Sequence, residues 1–257
     1  MSQVLHITSR DNAALVRLRK LAQDGHAYRK LGSVWLEGDH LMRACLQRQH
    51  AVTLALATEE AMSDPALRAL AEVAPKVLVV PAALFKTVSG LESPAQIGFE
   101  VPHEPAQALT PGLDTVVLDR LQDAGNVGTI LRSAAAFGFR QILAIKGTAA
   151  LWSPKVLRAG MGAHFGLRMV EGLAPQDLQG LGVPLVATSS HAAQELHRLA
   201  LPSPCAWVMG HEGQGVSAEL MQGCALTVGI PQPGGEESLN VGSAASICLY
   251  ESARQRS

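Results

Sequence analysis

The sequence predicts an α/β protein in which a larger C-terminal domain on a mostly parallel sheet follows a smaller α/β domain. Three observations predict it. Short apolar runs alternate with stretches of helical periodicity along most of the 257 residues. In the C-terminal half those runs are continuously apolar, as strands buried on both faces of a parallel sheet are. A stretch without periodicity, 98–114, carries Pro102, Pro105 and Pro111 between the two series. We read residues 1–100 as the first domain, 101–114 as a linker and 115–257 as the second.

In the first domain, 12–30 fits a basic helix, 34–36 a short strand and 38–48 a helix. The run VTLALAT (52–58) reads as a strand, 65–73 as a helix and KVLVVP (76–81) as a strand. In the second domain the strands are TVVLD (115–119), QILAIK (141–146), FGLRMV (165–170), VPLVATS (183–189), CAWVMG (205–210) and ALTVGI (225–230). Helices lie between them, and a last helix runs from about 238 to 254. Ligands of such sheets bind at the carboxyl ends of the strands. The loops after 188, 210 and 230 all sit at such ends, so one shared pocket is expected.

Composition bounds the function. At 47% apolar and 17% charged the chain is globular. No apolar run reaches the roughly 18 residues of a membrane span, and the N-terminus lacks the apolar segment of a signal peptide. Cys45, Cys205, Cys224 and Cys248 show no paired spacing, which predicts free buried thiols in a cytoplasmic protein. None of the nine histidines, His191 and His197 included, falls in a metal-ligand spacing, so no metal is expected. The net charge of −1 argues against a uniformly basic surface. Residues 1–50, however, hold eight Lys/Arg (Arg10, Arg17, Arg19, Lys20, Arg29, Lys30, Arg43, Arg48) against four acids (Asp11, Asp24, Glu37, Asp39). That is a modest hint of a polyanion partner, and a solvated helix face explains it equally well.

A nucleotide-binding dehydrogenase is disfavoured. DAGNVGTILRSAAAFGF (123–139) stands where a dinucleotide fingerprint would, but it offers only Gly125 and Gly128 at the wrong spacing. The next strand ends in Lys146 where an acid is required. The same absence disfavours the common Rossmann-type methyltransferase.

Three motifs stand in order: NVGTILRSAAAFGF (126–139), VMGHEGQGVS (208–217) and IPQPGGEESLNVGSAASICLYE (230–251). Together they resemble the SpoU/TrmH family of RNA ribose 2′-O-methyltransferases, within the SPOUT superfamily. SPKVLRAGMGAHF (153–165) resembles the segment between the family's first two motifs. The resemblance is close over 115–254. Over 1–100, where LEGDHLMRAC (36–45) carries it, the chain resembles the family's RNA-binding α/β extension. The resemblance implies S-adenosyl-L-methionine as methyl donor, a trefoil knot in the C-terminal domain and a homodimer through that domain. It implies an RNA substrate, ribosomal or transfer; the composition and the histidine spacing predict no membrane and no metal partner. His211 stands where the family more often has Asn, and Glu236-Glu237 places two acids where one is usual.

Methylating a ribose hydroxyl requires in-line placement of the oxygen and help in removing a poorly acidic proton. Arg132 matches the family's catalytic arginine. It lies about two turns into the helix that Asn126 opens, and long helical side chains lean toward the N-terminus. A guanidinium is a poor base, so clamping a phosphate or stabilising a developing alkoxide is the easier role. Asn126 suits either a helix cap or a substrate contact. Glu212, among three glycines, is expected to fix Arg132 or the substrate. Ser238 suits the cap of the last helix and Asn240 its first turn, with a part in catalysis or pocket ordering. For the cofactor the family pattern points to Thr188, Gly210, Ile230 and Leu239, with Gly213 and Gly215 permitting the bends. Two other readings stand beside this one: a catalytically decayed RNA-binding paralogue, and a SPOUT enzyme that methylates a base nitrogen.

Overall fold

The computed structural model describes residues 2–105, 108–190, 192–234 and 238–256. They form two compact units, residues 2–104 with 152–165, and the remainder from 105.

The first unit opens with β1 (Gln3–His6), a short and mostly exposed strand. In α1 (Ala13–Gln23), capped by the Asn12 side chain on the Ala14 amide at 3.0 Å, the residues Leu15, Leu18, Leu21 and Ala22 share one buried face. The helix expected over 12–30 is in fact two. Asp24 accepts from the His26 amide at 2.9 Å and turns the chain before α2 (Ala27–Leu31), a turn that the Asp-Gly pair favours. Next come β2 (Ser33–Glu37), α3 (Asp39–Gln47), β3 (Leu54–Thr58), α4 (Glu59–Ser63), α5 (Pro65–Ala71), β4 (Lys76–Val80), α6 (Ala82–Val88) and β5 (Ile97–Pro102). The sheet runs β1-β4-β3-β5-β2, with β5 antiparallel to both neighbours. β5 occupies the start of the stretch read as aperiodic. A Cβ at Gly98 would stand 2.4 Å from carbons of the Trp35 ring, so this glycine makes room for an indole rather than marking a loop.

In the second unit β6 (Thr115–Leu118), α7 (Ala124–Ala136) and β7 (Gln141–Ile145) come first. The chain then contributes α8 (Pro154–Gly160) to the first unit, where it packs on β2 and α1. It continues through β8 (Arg168–Leu173), β9 (Leu185–Thr188), β10 (Ala206–Met209), α9 (Ala218–Gly223), β11 (Leu226–Val228) and α10 (Val241–Arg256). The six strands are all parallel, in the order β11-β9-β10-β6-β7-β8. β8 lies three residues later than the sequence predicts. Ala163–Gly166 forms a 3-10 turn that buries Phe165, whose apolar side chain had suggested a strand.

Val117, Leu143, Val170, Ala187 and Val208 from five strands form the core of this sheet, where each buried Val or Leu side chain contributes about 1.5–3 kcal/mol. Trp207, fully buried, donates from Nε1 to Ser252 Oγ at 2.8 Å and so ties α10 to the sheet. All four cysteines are free, and burial pushes the Cys45, Cys205 and Cys224 thiols up to about 11. Among the described residues no helix is long and apolar enough to cross a membrane. Nor do any three or more His, Cys, Asp or Glu side chains group as metal ligands.

Candidate active site

The site lies where the loops following β6, β9, β10 and β11 meet, at the carboxyl ends of the strands. The loop after β6 runs into α7, whose inner face of Val127, Ile130, Leu131 and Ala134 is fully buried. Its N-cap is Asp123, which accepts from the Asn126 amide at 2.7 Å. Asn126 is therefore not the cap. It sits in the first turn with its side chain free for other partners, and it has two: its Nδ2 donates to Glu212 at 3.2 Å, and its Oδ1 accepts from Asn240 Nδ2 at 2.9 Å.

The loop after β10 folds back on itself. His211 and Gly215 exchange both backbone hydrogen bonds, at 3.0 and 2.8 Å. Gly210 permits this closeness, since a Cβ there would stand 2.2 Å from Gly215 C and Val216 N. Gly215 has φ +69°, which glycine adopts without strain. His211 Nδ1 accepts from the Gly213 amide at 3.0 Å, the bond that an Asn side chain would make in such a turn. The departure from Asn thus preserves the local hydrogen bonding.

Glu212, at the tip, does not meet Arg132. Its carboxylate accepts from the amides of Gln122 (3.3 Å) and Asp123 (3.0 Å) and from Asn126. Burial pushes its carboxyl up. The amides of Glu212 itself and Asp123, the Asn126 side chain and the Gln122 amide outweigh that and hold it below the ordinary carboxylate value.

The cap of α10 also differs from expectation. Asn240 Oδ1 accepts from the Gly242 amide at 2.9 Å and the Ser243 amide at 3.2 Å, so Asn240 caps the helix and Ser238 lies two residues outside it. Asn has the same short acceptor as Ser, and tertiary contact with Asn126 selects between them. Residues 235–237, with the two acids Glu236 and Glu237, and His191 lie outside the described residues.

These loops enclose a cavity of about 700 Å³, well within the range of small-molecule sites. Thr188, Gly210, Gly215, Ile230 and Leu239 all line it, as do Glu212, Ser238 and Asn240. Asn126 stands one hydrogen bond behind them. Arg132 is exposed on α7, does not line the cavity, and has no hydrogen bond or ion pair among the described residues. The sequence did not single out Gln232 or Met221, which also line the cavity. Gln232 Oε1 is buried without a partner among the described residues, an acceptor whose cost a bound donor would relieve. No periodicity signals such a residue in an irregular loop.

A parallel α/β unit with a glycine-walled cavity at its strand ends, flanked by a network of two amides and a carboxylate, defines a small-molecule-binding enzyme domain. The SpoU rRNA Methylase family model matches residues 114–250, and the chain belongs to that family. It is 33% identical, over 99% of this chain and 96% of the relative, to a Synechocystis protein named "uncharacterized tRNA/rRNA methyltransferase". It is 30% identical, over 86% of this chain and 88% of the relative, to the Bacillus subtilis 23S rRNA (guanosine(2553)-2′-O)-methyltransferase RlmP. The solved structure of an AdoMet-bound rRNA methyltransferase from Sinorhizobium meliloti superposes with a TM-score of 0.83 at 26% identity, covering 99% of each chain.

Proposed function

We infer that this chain is an enzyme that transfers the methyl group of S-adenosylmethionine to the 2′-hydroxyl of a ribose in RNA. Family membership carries the reading, and the cavity at the strand ends supports it. The residues present fit the cofactor: glycine walls allow close backbone approach, Gln232 Oε1 offers an unsatisfied acceptor, and the volume is adequate. Thr188, Gly210, Gly215, Ile230 and Leu239 would hold it. The bound cofactor supplies an electrophilic methyl on a sulfonium.

The remaining roles belong to the chain's own side chains. Arg132, exposed and uncommitted, clamps the phosphate beside the target ribose or stabilises the alkoxide as its proton leaves. Asn240 orients the hydroxyl from the cavity wall, and Asn126 holds Asn240 in place from one hydrogen bond behind it. Glu212 fixes Asn126 and the start of α7, and Ser238 contacts substrate or cofactor from the cavity wall.

The finer assignments follow the same reading. Ribosomal RNA is the substrate, as the name of the RlmP relative suggests. Residues 1–100 bind RNA, 101–114 link, and 115–257 carry the chemistry. The second unit is knotted, a reading supported by the path after β11: from the sheet edge, residues 238–240 return past β9 and β10 to reach Asn126. The enzyme works in the cytoplasm, where its RNA is. It is a homodimer through α7 and α10, where Tyr250 (54% exposed) packs on Phe137 and Ile247 (40%) is also exposed on α10. The intact Asn126–Asn240–Glu212 network argues against a decayed site. Mapping 2′-O-methyl positions in total RNA with and without the gene tests the reading: one ribosomal ribose should lose its methyl group. A lost methyl on a base nitrogen, or no change, overturns it.

A further inference from the structure

We propose that Asp119 and Arg120 are positioning residues that lock the cofactor loop, 211–217, to the start of α7, an inference that rests on the methyl-transfer reading above. Asp119 follows β6 and is completely buried. Its amide donates to Met209 O at 2.8 Å. Its carboxylate accepts from the Ser217 amide at 2.6 Å and from Arg120 Nε at 2.9 Å. One buried residue thus holds both ends of the loop that carries Glu212, through its backbone amide at Met209 and its carboxylate at Ser217. A charge in such a place is costly unless geometry and partners compensate, and here both are supplied.

Arg120 carries the second half of the lock. Its backbone has φ +60°, a left-handed conformation shared among the described non-glycine residues only by Gln49 and Met161. An arginine rarely adopts it unless its surroundings impose it. Here the Arg120 amide donates to Thr148 Oγ1 at 3.1 Å. The turn aims the guanidinium at two groups at once. Nε and Nη2 engage Asp119, while Nη1 donates to Gln214 Oε1 at 3.0 Å, and Gln214 lines the cavity. With the Gln122 and Asp123 amides on Glu212, residues 119–123 are stitched to 209–217 along their length. The cofactor loop cannot shift without shifting the first turn of α7 and Asn126 on it. Cofactor binding and the substrate-facing helix are thereby coupled through a fork that only a planar guanidinium provides.

The test uses the full-length protein. Arg120→Lys keeps the charge against Asp119 but cannot span both partners, and Gln214→Ala removes the far end of the fork. Each should leave the melting temperature within about 2 °C of the unaltered protein. Each should weaken S-adenosylmethionine binding about fivefold in calorimetry and raise KM for the cofactor more than it lowers kcat. The double variant should be no worse than either single one, because the two changes cut the same link. Asp119→Asn should be more severe in affinity and in stability; should it not fold, the first two variants decide. Cofactor affinity within twofold of normal in both single variants overturns the proposal, as does a double variant in which the two losses multiply. Absence of cofactor binding by the unaltered protein overturns the methyl-transfer reading and this inference with it.

Discussion

Asn240 and Asn126, 114 residues apart, are joined by a 2.9 Å hydrogen bond from Asn240 Nδ2 to Asn126 Oδ1. The same Asn240 caps α10 through its other side-chain atom. Asn240→Asp separates these jobs, because a carboxylate still caps but cannot donate to Asn126. Stability should change by less than about 0.5 kcal/mol, while single-turnover methyl transfer falls roughly tenfold. Asn240→Ala should lose about 1 kcal/mol as well. Chemical denaturation beside rapid-quench kinetics distinguishes the two, and an aspartate variant with full activity removes Asn240 from the site.

Glu212 sets an acid limit. Its folded carboxyl lies below its ordinary value of 4.5, so its contribution is fully present above that pH and is lost as pH falls through the lowered folded value. Cofactor affinity should therefore hold from neutrality to about pH 4.5 and decline only below. Glu212→Gln should bind weakly at neutral pH and show no such acid decline in calorimetry. A Gln variant with the same affinity and the same profile would detach the carboxylate from the loop.

Arg132 is exposed and unpartnered among the described residues, so Arg132→Ala should change stability by less than about 0.5 kcal/mol and leave cofactor binding intact. Methyl transfer should fall at least a hundredfold, about what one oriented donor to developing charge is worth. Arg132→Lys retains measurable activity if a point charge suffices and little if a bidentate phosphate fork is needed. A near-normal single-turnover rate in the alanine variant would sink the assignment.

Gly210 tolerates no side chain. Even Ala places its Cβ 2.2 Å from the backbone of residues 215 and 216, which cannot move aside cheaply. Gly210→Ala should cost about 1–3 kcal/mol and abolish measurable cofactor binding. Gly213→Ala, where a Cβ would meet nothing closer than 3.9 Å, serves as the control.

The basic helix α1 divides its charges. Arg17 donates to Glu100 at 2.7 Å and to Ser33 and the Leu31 carbonyl, and Arg19 donates to the carbonyls of Thr87 and Arg10. Reversing these two would test folding, so RNA contact is tested at the exposed Lys20 and Lys30. Lys20→Glu with Lys30→Glu should weaken RNA binding and flatten its salt dependence, with stability kept. Arg17→Ala should instead lower stability by about 1–3 kcal/mol, because it strands the buried Glu100 carboxylate. Filter binding across a salt series, with thermal melts, separates the two outcomes.

By itself the sequence determined the alternation of strands and helices in both halves. Buried parallel strands must be continuously apolar, and that pattern is local. It also pointed to the loops that meet at the candidate cavity, because glycines such as Gly210 and Gly215 are required by the backbone where they stand. It did not reveal β1 or β5. The first is a short, exposed edge strand with no apolar signature, and the second contains a glycine needed only because Trp35 lies across it. Which residue caps which helix was decided by the tertiary structure. Asp123 and Ser238 are both good capping types, and only the contact of Asn240 with Asn126 moved the α10 cap two residues on. The partners of Glu212 and the double role of Asp119 were decided there too. Hydrogen bonds spanning about ninety residues depend on which strands become neighbours, and no local pattern encodes that.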